Sequence, residues 1–325
     1  MNGAPPPSAG GDGLPAAFLE RLECLAGEHT PQVLQAIARP RAVAVRQNPL
    51  KPVDSPWERL ATAGLRLQPL PWYPSARVVP AEQRTLLSHH PLVGAGHLYI
   101  QNPASLLPVL ALDPRPGERV LDLCAAPGSK TLQIWAAMEG RGWLSAVEAV
   151  RARFHRLRAN LARHGGDAVH TYLKDGSWVW RQVPESFDRV LVDAPCSSEG
   201  QFQYAQPETY RYWSERKIRE MARKQRRLLF SGFQCLRPGG VLVYSTCTLA
   251  PEENEAVVDA LLRRFPEAAV VEPWMPVGLS EARPGLRSWQ GREFHPSLER
   301  AVRILPDAVM EGFFLCRLRK TAATA

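Results

Sequence analysis

Beyond about residue 115, short runs of aliphatic and β-branched residues alternate with stretches whose apolar positions recur every three to four residues. The runs predict strands near 119–123, 143–147, 169–173, 189–192 and 241–245. The amphipathic stretches predict helices near 129–139, 151–164, 214–236 and 252–264. Such alternation predicts an α/β fold on a parallel, doubly wound sheet. Two final apolar runs, 302–305 and 312–316, have no helical pattern between them and predict a terminal antiparallel hairpin on that sheet. Upstream, residues 1–13 are rich in Gly, Pro, Ala and Ser and are expected to be a disordered tail. A helical pattern follows (Phe18, Leu19, Leu22, Leu25, then Val33, Leu34, Ile37), and then Pro-punctuated extended pieces carry Trp57, Trp72 and Tyr73. These predict a small α+β accessory domain over 14–95, a main domain over 96–320 and a short tail at 321–325, with Trp57 and Trp72 in the accessory core.

Charge adds a partner class. With 40 Lys+Arg against 32 Asp+Glu the net charge is +8, which favours a polyanion such as nucleic acid. The six cysteines, at 24, 124, 196, 235, 247 and 316, form no C-x-x-C pair and no dense framework, so a reducing, cytoplasmic setting is expected. The first residues show no signal-peptide pattern and no apolar run approaches about 18 residues, so neither export nor membrane spanning is expected. His89, His90 and His97 lack metal-ligand spacing, and no metal is expected.

A strand, tight turn and helix are predicted across Val120–Thr131, where a nucleotide-like ligand belongs. Ser129 separates Gly128 from Lys130 and an earlier glycine is missing, which disfavours a Walker loop. Ala125-Ala126-Pro127 supplies none of the early glycines that let a backbone approach a pyrophosphate. An adenosine ligand without phosphate remains, and S-adenosylmethionine fits. Glu148 ends the second strand 20 residues past Gly128, placed to accept ribose hydroxyls, and Asp175 follows the third, placed near an adenine amino group. Taken alone, such acids are more often helix caps. Arg153, early in the next helix, is positioned to brace the cofactor side.

Cys196, in Asp193-Ala194-Pro195-Cys196-Ser197-Ser198, and Cys247, in Ser245-Thr246-Cys247-Thr248, each end a predicted strand and face the crevice where such sheets bind ligands. Cys24, Cys124, Cys235 and Cys316 read instead as small buried hydrophobes. Cytosine gives a methyltransferase a use for a thiol: carbon 5 is too electron-poor to attack a sulfonium methyl until a thiolate adds to carbon 6. Asp193 is placed to hold or protonate the ring nitrogen, and a second thiol to assist release. A helix opening at Pro251 would favour an anionic sulfur at Cys247, while Glu252 and Glu253 place negative charge nearby. The residues themselves do not say which cysteine attacks.

At these positions the chain resembles the Nop/Sun family of RNA 5-methylcytosine methyltransferases, and most its bacterial ribosomal RNA members of the RsmF type. The resemblance runs through Arg46-Gln47-Asn48-Pro49-Leu50-Lys51, Tyr99–Ser105, Ala125–Thr131, Asp193–Ser197, Arg237–Gly240, Ser245–Thr248, Glu252–Glu255 and Glu311–Phe314. It implies a class I, Rossmann-like S-adenosylmethionine-dependent methyltransferase fold. It also implies a cofactor cradle of Cys124, Ala125, Ala126, Pro127, Gly128, Ser129 and Lys130, with Glu148 on the ribose, Asp175 near the adenine and Asp193 near donor and base. Cys247 is then the nucleophile and Cys196 serves product release. The implied substrate is cytosine in structured RNA, ribosomal first and transfer RNA as the alternative; a non-catalytic, RNA-binding assembly factor is the competing class. Asn102 stands where the family often has an acid, and Ser198 where it usually has glycine.

Basic residues from Arg211 to Arg227, with Tyr210, Tyr212 and Trp213, present a candidate RNA surface in which aromatic rings stack bases. The cluster Arg151, Arg153, Arg156, Arg158 and Arg163 is a second one. Either is equally readable as a solvated helix face.

Overall fold

Two sheets and a two-residue hairpin organise the computed structural model, which describes residues 13–324 apart from 277, 280 and 281. The expected tail at 1–13 lies, but for Gly13, outside the described residues. The smaller sheet is antiparallel, in the order β2 (Gln68–Pro69), β3 (Ala76–Val79), β1 (Val43–Gln47), β4 (Leu98–Gln101). Its last strand lies past the expected boundary at 95. The His89–Gly96 stretch is no linker but a short helix, Pro91–Gly94, capped by the His90 ring, that turns the chain back against β1. Alternation along β1 sends Val43 and Val45 into a core with Leu60, Leu87, Leu92 and Leu98, and Ala44 and Arg46 toward the main domain.

The helical segment upstream belongs elsewhere. Helices α1 (Ala16–Ala26) and α2 (Thr30–Ala38) carry Phe18, Leu22, Val33 and Ile37 into a cluster with Phe202, Tyr210 and Leu249 of the main domain, not with the N-terminal sheet. The predicted accessory unit is thus two pieces. Periodicity shows that a helix has an apolar stripe but not what covers it.

The large sheet follows the expected pattern. Parallel strands β5 (Arg119–Asp122), β6 (Trp143–Glu148), β7 (His170–Leu173), β8 (Phe187–Asp193) and β9 (Leu236–Thr246) stand in the order β7-β6-β5-β8-β9. Further along the chain are β10 (Ala269–Glu272), β11 (Ala282–Pro284), the hairpin β12 (Ser288–Trp289) and β13 (Arg292–Glu293), β14 (Val302–Ile304) and β15 (Phe313–Lys320). The predicted terminal hairpin is β14 against β15, with β15 antiparallel to β9; β10 and β11, invisible in the pattern, extend it.

Helices α3 (Pro56–Thr62), α4 (Arg84–Ser88) and α5 (Pro91–Gly94) belong to the N-terminal sheet, whereas α6 (Leu107–Leu112), α7 (Ser129–Ala137) and α8 (Arg151–Arg163) cover one face of the large sheet. The 3-10 turn Gly176–Arg181, α9 (Glu215–Cys235) and α10 (Glu255–Arg264) cover the other. Strand order reverses between β5 and β8, which opens a crevice beyond their carboxyl ends. Among the described residues no helix is long and apolar enough to cross a membrane.

The Arg46–Lys51 segment seats the small sheet on this frame. Asn48 donates to the carbonyls of Gly96 and His164, and Lys51 to those of Ala95 and Arg163. These bonds satisfy carbonyls freed at the end of α8. Gly96 sits at φ +82 with a hypothetical Cβ only 2.3 Å from the Arg163 oxygen, so this approach requires glycine.

Candidate active site

Beyond β5 the chain turns through Leu123–Gly128, with a cis Ala126–Pro127 peptide and Gly128 at φ +108, and enters α7. Asp122, almost fully buried, accepts from the Thr131 hydroxyl at 2.7 Å and from the Cys124 amide. Burial raises its carboxyl to about 7, with the neighbouring Asp193 adding to the shift. Glu148 is buried at the end of β6, accepts the Val150 amide at 2.8 Å and faces the Arg153 guanidinium at 3.7 Å. Arg153 also donates to the Ala126 carbonyl at 2.7 Å. Asp175 is exposed and caps the following turn through the Ser177 amide.

Burial lifts the Cys124 thiol well above its usual range, reinforced by Asp122, Asp193 and Glu148. Three carboxylates therefore surround one loop. Its one cation, Lys130, is committed to Asp193 at 2.7 Å and to the Ser105 hydroxyl at 2.7 Å. This donor set repels phosphate and suits a sulfonium with an ammonium tail, so the residues fit S-adenosylmethionine.

Lys130 is the hub. Burial alone would lower its pKa, but Asp193, then Cys247 and Asp122, raise it, so the ammonium is held. Asp193 also accepts from Ser245 at 2.7 Å. Behind Lys130 runs a chain the sequence reading did not find: Ser105 accepts from Gln101, whose Oε1 accepts from Arg46 Nε at 3.2 Å. Arg46 is 1 % exposed, donates to the Ser129 carbonyl and stacks on Tyr99. The motifs Arg46–Lys51 and Tyr99–Ser105 signalled it, since each places polar residues within apolar strands.

Cys196 and Cys247, at the ends of β8 and β9, place their sulfurs 3.2 Å apart as free thiols. Their loops are stitched together. Ser197 meets Thr248 at 2.8 Å, Glu199 accepts from Thr248, and the Gly200 amide donates to the Cys247 carbonyl at 3.0 Å. Ser198, where the family usually has glycine, sits at φ 61 and places its hydroxyl 3.9 Å from one sulfur and 3.7 Å from the other. A serine in the left-handed region costs about 1 kcal/mol. The hydrogen bond with Cys247 and burial raise the Cys196 thiol well above its ordinary value.

Two acids after Cys247 were expected to oppose an anionic sulfur. Glu252 is instead engaged by Arg21 of α1 in a bidentate pair, 3.0 and 2.7 Å. Glu253 is fully buried; its Oε2 accepts the Ser197 amide and the Gln225 side chain, which also holds the Pro195 carbonyl. Burial pushes Glu253 up to about 8. Its Oε1 and the Gln225 Oε1 both lack partners, and a proton on Glu253 supplies a donor among these acceptors. Because its folded pKa lies above the unfolded 4.5, the folded state binds more protons between pH 4.5 and 8, and stability falls as pH rises through that window. Glu253→Gln should flatten this slope. Thermal melts at intervals across the window test it, and parallel wild-type and variant curves would refute a protonated Glu253.

Other expectations are corrected. α10 starts at Glu255, not near Pro251, so no helix N-terminus opens there toward Cys247; Asn254 instead pins the loop, accepting from Thr246 and donating to the Thr248 carbonyl. Cys24 is exposed rather than buried, and Cys124 is only partly so. Tyr210 is buried, and Trp213 packs partly buried and donates to Glu199 at 2.8 Å, so neither is a stacking platform; Tyr212 is 75 % exposed, with Arg211 over its ring at 4.5 Å.

The pattern of a family covers this site. Residues 109–319 match the 16S rRNA methyltransferase RsmB/F, and residues 14–103 match the N-terminal domain of 16S rRNA methyltransferase RsmF. The chain belongs to the RsmB/F methyltransferase family. It is 39% identical over 321 residues to ribosomal RNA small subunit methyltransferase F of Cronobacter sakazakii, covering 95% of this chain but 64% of that protein. The chain thus spans about two thirds of the length of such relatives. It is 36% identical over 287 residues to the tRNA (cytosine(49)-C(5))-methyltransferase of Pyrococcus abyssi, covering 87% and 89% of the two chains. A solved methyltransferase homolog protein from Pyrococcus horikoshii superposes with a TM-score of 0.80 at 32% identity, covering 94% of each chain. The class I methyltransferase fold anticipated from the sequence is the one the family shares.

Proposed function

We propose that this chain methylates carbon 5 of a cytosine in RNA, with S-adenosylmethionine as donor and a covalent cysteine adduct as intermediate. The observation that carries the reading is the pair of sulfurs 3.2 Å apart beside the Asp193–Lys130 pair, at the reversal point of the sheet. Bound S-adenosylmethionine supplies an electrophilic methyl group. Cys124–Lys130 would hold it, with Glu148 on its ribose, Arg153 bracing that side and Asp175 near its adenine.

Cys247 adds as thiolate to carbon 6 of a base presented out of its stack, and carbon 5 gains the electron pair. Asp193 and Lys130 face the ring nitrogen edge, where the pair lends a proton as charge develops. Once carbon 5 is methylated, Cys196 donates its proton to the departing Cys247 sulfur and takes the carbon 5 proton, and the ring nitrogen returns its own. One proton is released overall, as methyl transfer from a sulfonium requires.

Ribosomal RNA of the small subunit is the first substrate choice, on the match to the RsmF N-terminal domain; in this reading the accessory segment 14–95 helps to bind the RNA. Transfer RNA is the second reading, favoured by the archaeal relative that matches over most of both lengths. The enzyme works in the cytoplasm, where both RNAs and reduced thiols are found. Incubation with methyl-labelled S-adenosylmethionine and separate 16S rRNA, 30S subunit and tRNA pools should place label in 5-methylcytosine. Absence of label in every pool refutes the activity, and label in tRNA alone refutes the ribosomal choice.

A further inference from the structure

On the outer side of the layer formed by Gly176–Arg181, α9 and α10 lies a groove of about 330 Å³ that shares no lining residue with the crevice described above. Its walls include Trp178, Trp180, Phe230, Arg226, Arg227 and Arg264. Trp178 is 49 % exposed, and Trp180 and Phe230 meet edge to face at 5.5 Å. Arg181 lies over Trp178 at 4.5 Å, and Arg264 over Phe230 at 4.7 Å. No carboxylate lines the groove.

The arginines set the charge of the groove. Some exposed guanidinium groups elsewhere pair with acids, as Arg66 does with Glu82, Arg115 with Asp113, Arg141 with Glu139, Arg237 with Asp188 and Arg287 with Glu299. Among the described residues, Arg181, Arg226, Arg227 and Arg264 take part in no ion pair. Arg226 is further disfavoured as a cation by burial and by Arg292 and Arg223, with Asp259 a lesser opposing influence. Uncompensated positive charge beside the half-exposed Trp178 indole suits an anion that also carries flat rings.

We propose that this groove is a second RNA-docking site, which takes unpaired nucleotides flanking the target, bases against Trp178 and phosphates on Arg226, Arg227 and Arg264. It rests on RNA being the substrate. Position supports it: the inner face of α9 carries Gln225, which holds the Pro195 carbonyl behind Cys196, while Arg226 and Arg227 project outward from the same turn. Groove and reactive loop are thus separated by about one helix diameter, roughly 10 Å, a span of two or three nucleotides. An acidic peptide would satisfy the arginines but leave the exposed indole face without a stacking partner.

The test uses the full chain and a fluorescent twelve-nucleotide oligouridylate, followed by anisotropy across a salt series. Arg226→Glu with Arg227→Glu should weaken binding about tenfold or more and reduce the log–log salt slope by about 1.4, two phosphate contacts at about 0.7 each. Trp178→Ala should weaken binding about tenfold through lost stacking and leave the salt slope unchanged. Both variants should raise KM for structured RNA while kcat stays at the wild-type value. Unchanged affinity and slope overturn the proposal, as does a polyglutamate that binds through these residues when oligouridylate does not. A wild-type chain that binds oligouridylate through the groove but methylates no RNA would refute the activity and leave the docking site standing. Wild-type KM in the variants of an active enzyme would do the reverse.

Discussion

Cys196→Ser should leave the protein covalently attached to its RNA, whereas Cys247→Ser should give neither adduct nor methylation. The sulfurs are 3.2 Å apart, so proximity alone does not separate them. The proton does. Cys196 is hydrogen-bonded to Cys247 and buried, both of which hold it as a thiol. Cys247 lies close enough to the Lys130 ammonium to help hold that lysine charged. The first sulfur is therefore suited to give a proton at release, and the second to attack. Loss of the attacking sulfur should cost about 10³-fold or more in rate. Denaturing gels of each variant with labelled RNA provide the readout. An adduct that accumulates in Cys247→Ser instead would exchange the roles.

Lys130→Met should be nearly as damaging, though Lys130 forms no bond to the base's carbon atoms. Its removal leaves Asp193 and Asp122 facing each other without the cation between them. Asp122, already raised to about 7 in the presence of that cation, is then pushed further up, and Asp193 loses a 2.7 Å partner. Breaking a buried pair from one side costs about 3–5 kcal/mol. Asp193 retains some solvent contact, so about 2 kcal/mol is expected here. Methyl transfer should fall by about 10²–10³-fold, the scale for losing one preorganised charge at a reacting centre. The double variant Lys130→Met/Asp193→Asn should recover much of the melting temperature but none of the activity, which separates the fold from the chemistry. A Lys130→Met enzyme with near-normal kcat would remove the lysine from the mechanism.

Most of the catalytic frame was readable from local pattern. Val120–Leu123 and Val190–Val192 are apolar enough, and short enough, to be buried parallel strands, and the residues that follow them must face the crevice. Cys196, Cys247 and Asp193 were found on that logic, Lys130 came only from the family resemblance, and the structure brings the four together. What was missed depends on contacts distant in sequence. Nothing near Phe18 or Leu22 indicates that their cover is Phe202 and Leu249. Glu253 appeared to be a negative charge close to Cys247, and only its burial against Gln225 and Ser197 makes it a proton carrier. Pro251 suggested a helix start by rule, but the Asn254 bonds hold that segment as a turn. Tyr210 and Trp213 looked like base platforms because charge surrounds them in sequence, yet they lie on the inner side of the loop.

The chain of contacts from Arg46 through Gln101 and Ser105 to Lys130 bears on how such enzymes can be taken apart. A buried guanidinium on the N-terminal sheet sets the position of the side chain that neutralises Asp193, more than fifty residues and one sheet away. The small sheet is then part of the alignment of Lys130 and Asp193. Chimaeras that exchange N-terminal domains between relatives to redirect specificity would inherit a misplaced lysine unless Arg46 and Gln101 travel with the graft, and a fragment reduced to the large sheet would keep both sulfurs but not their tuning.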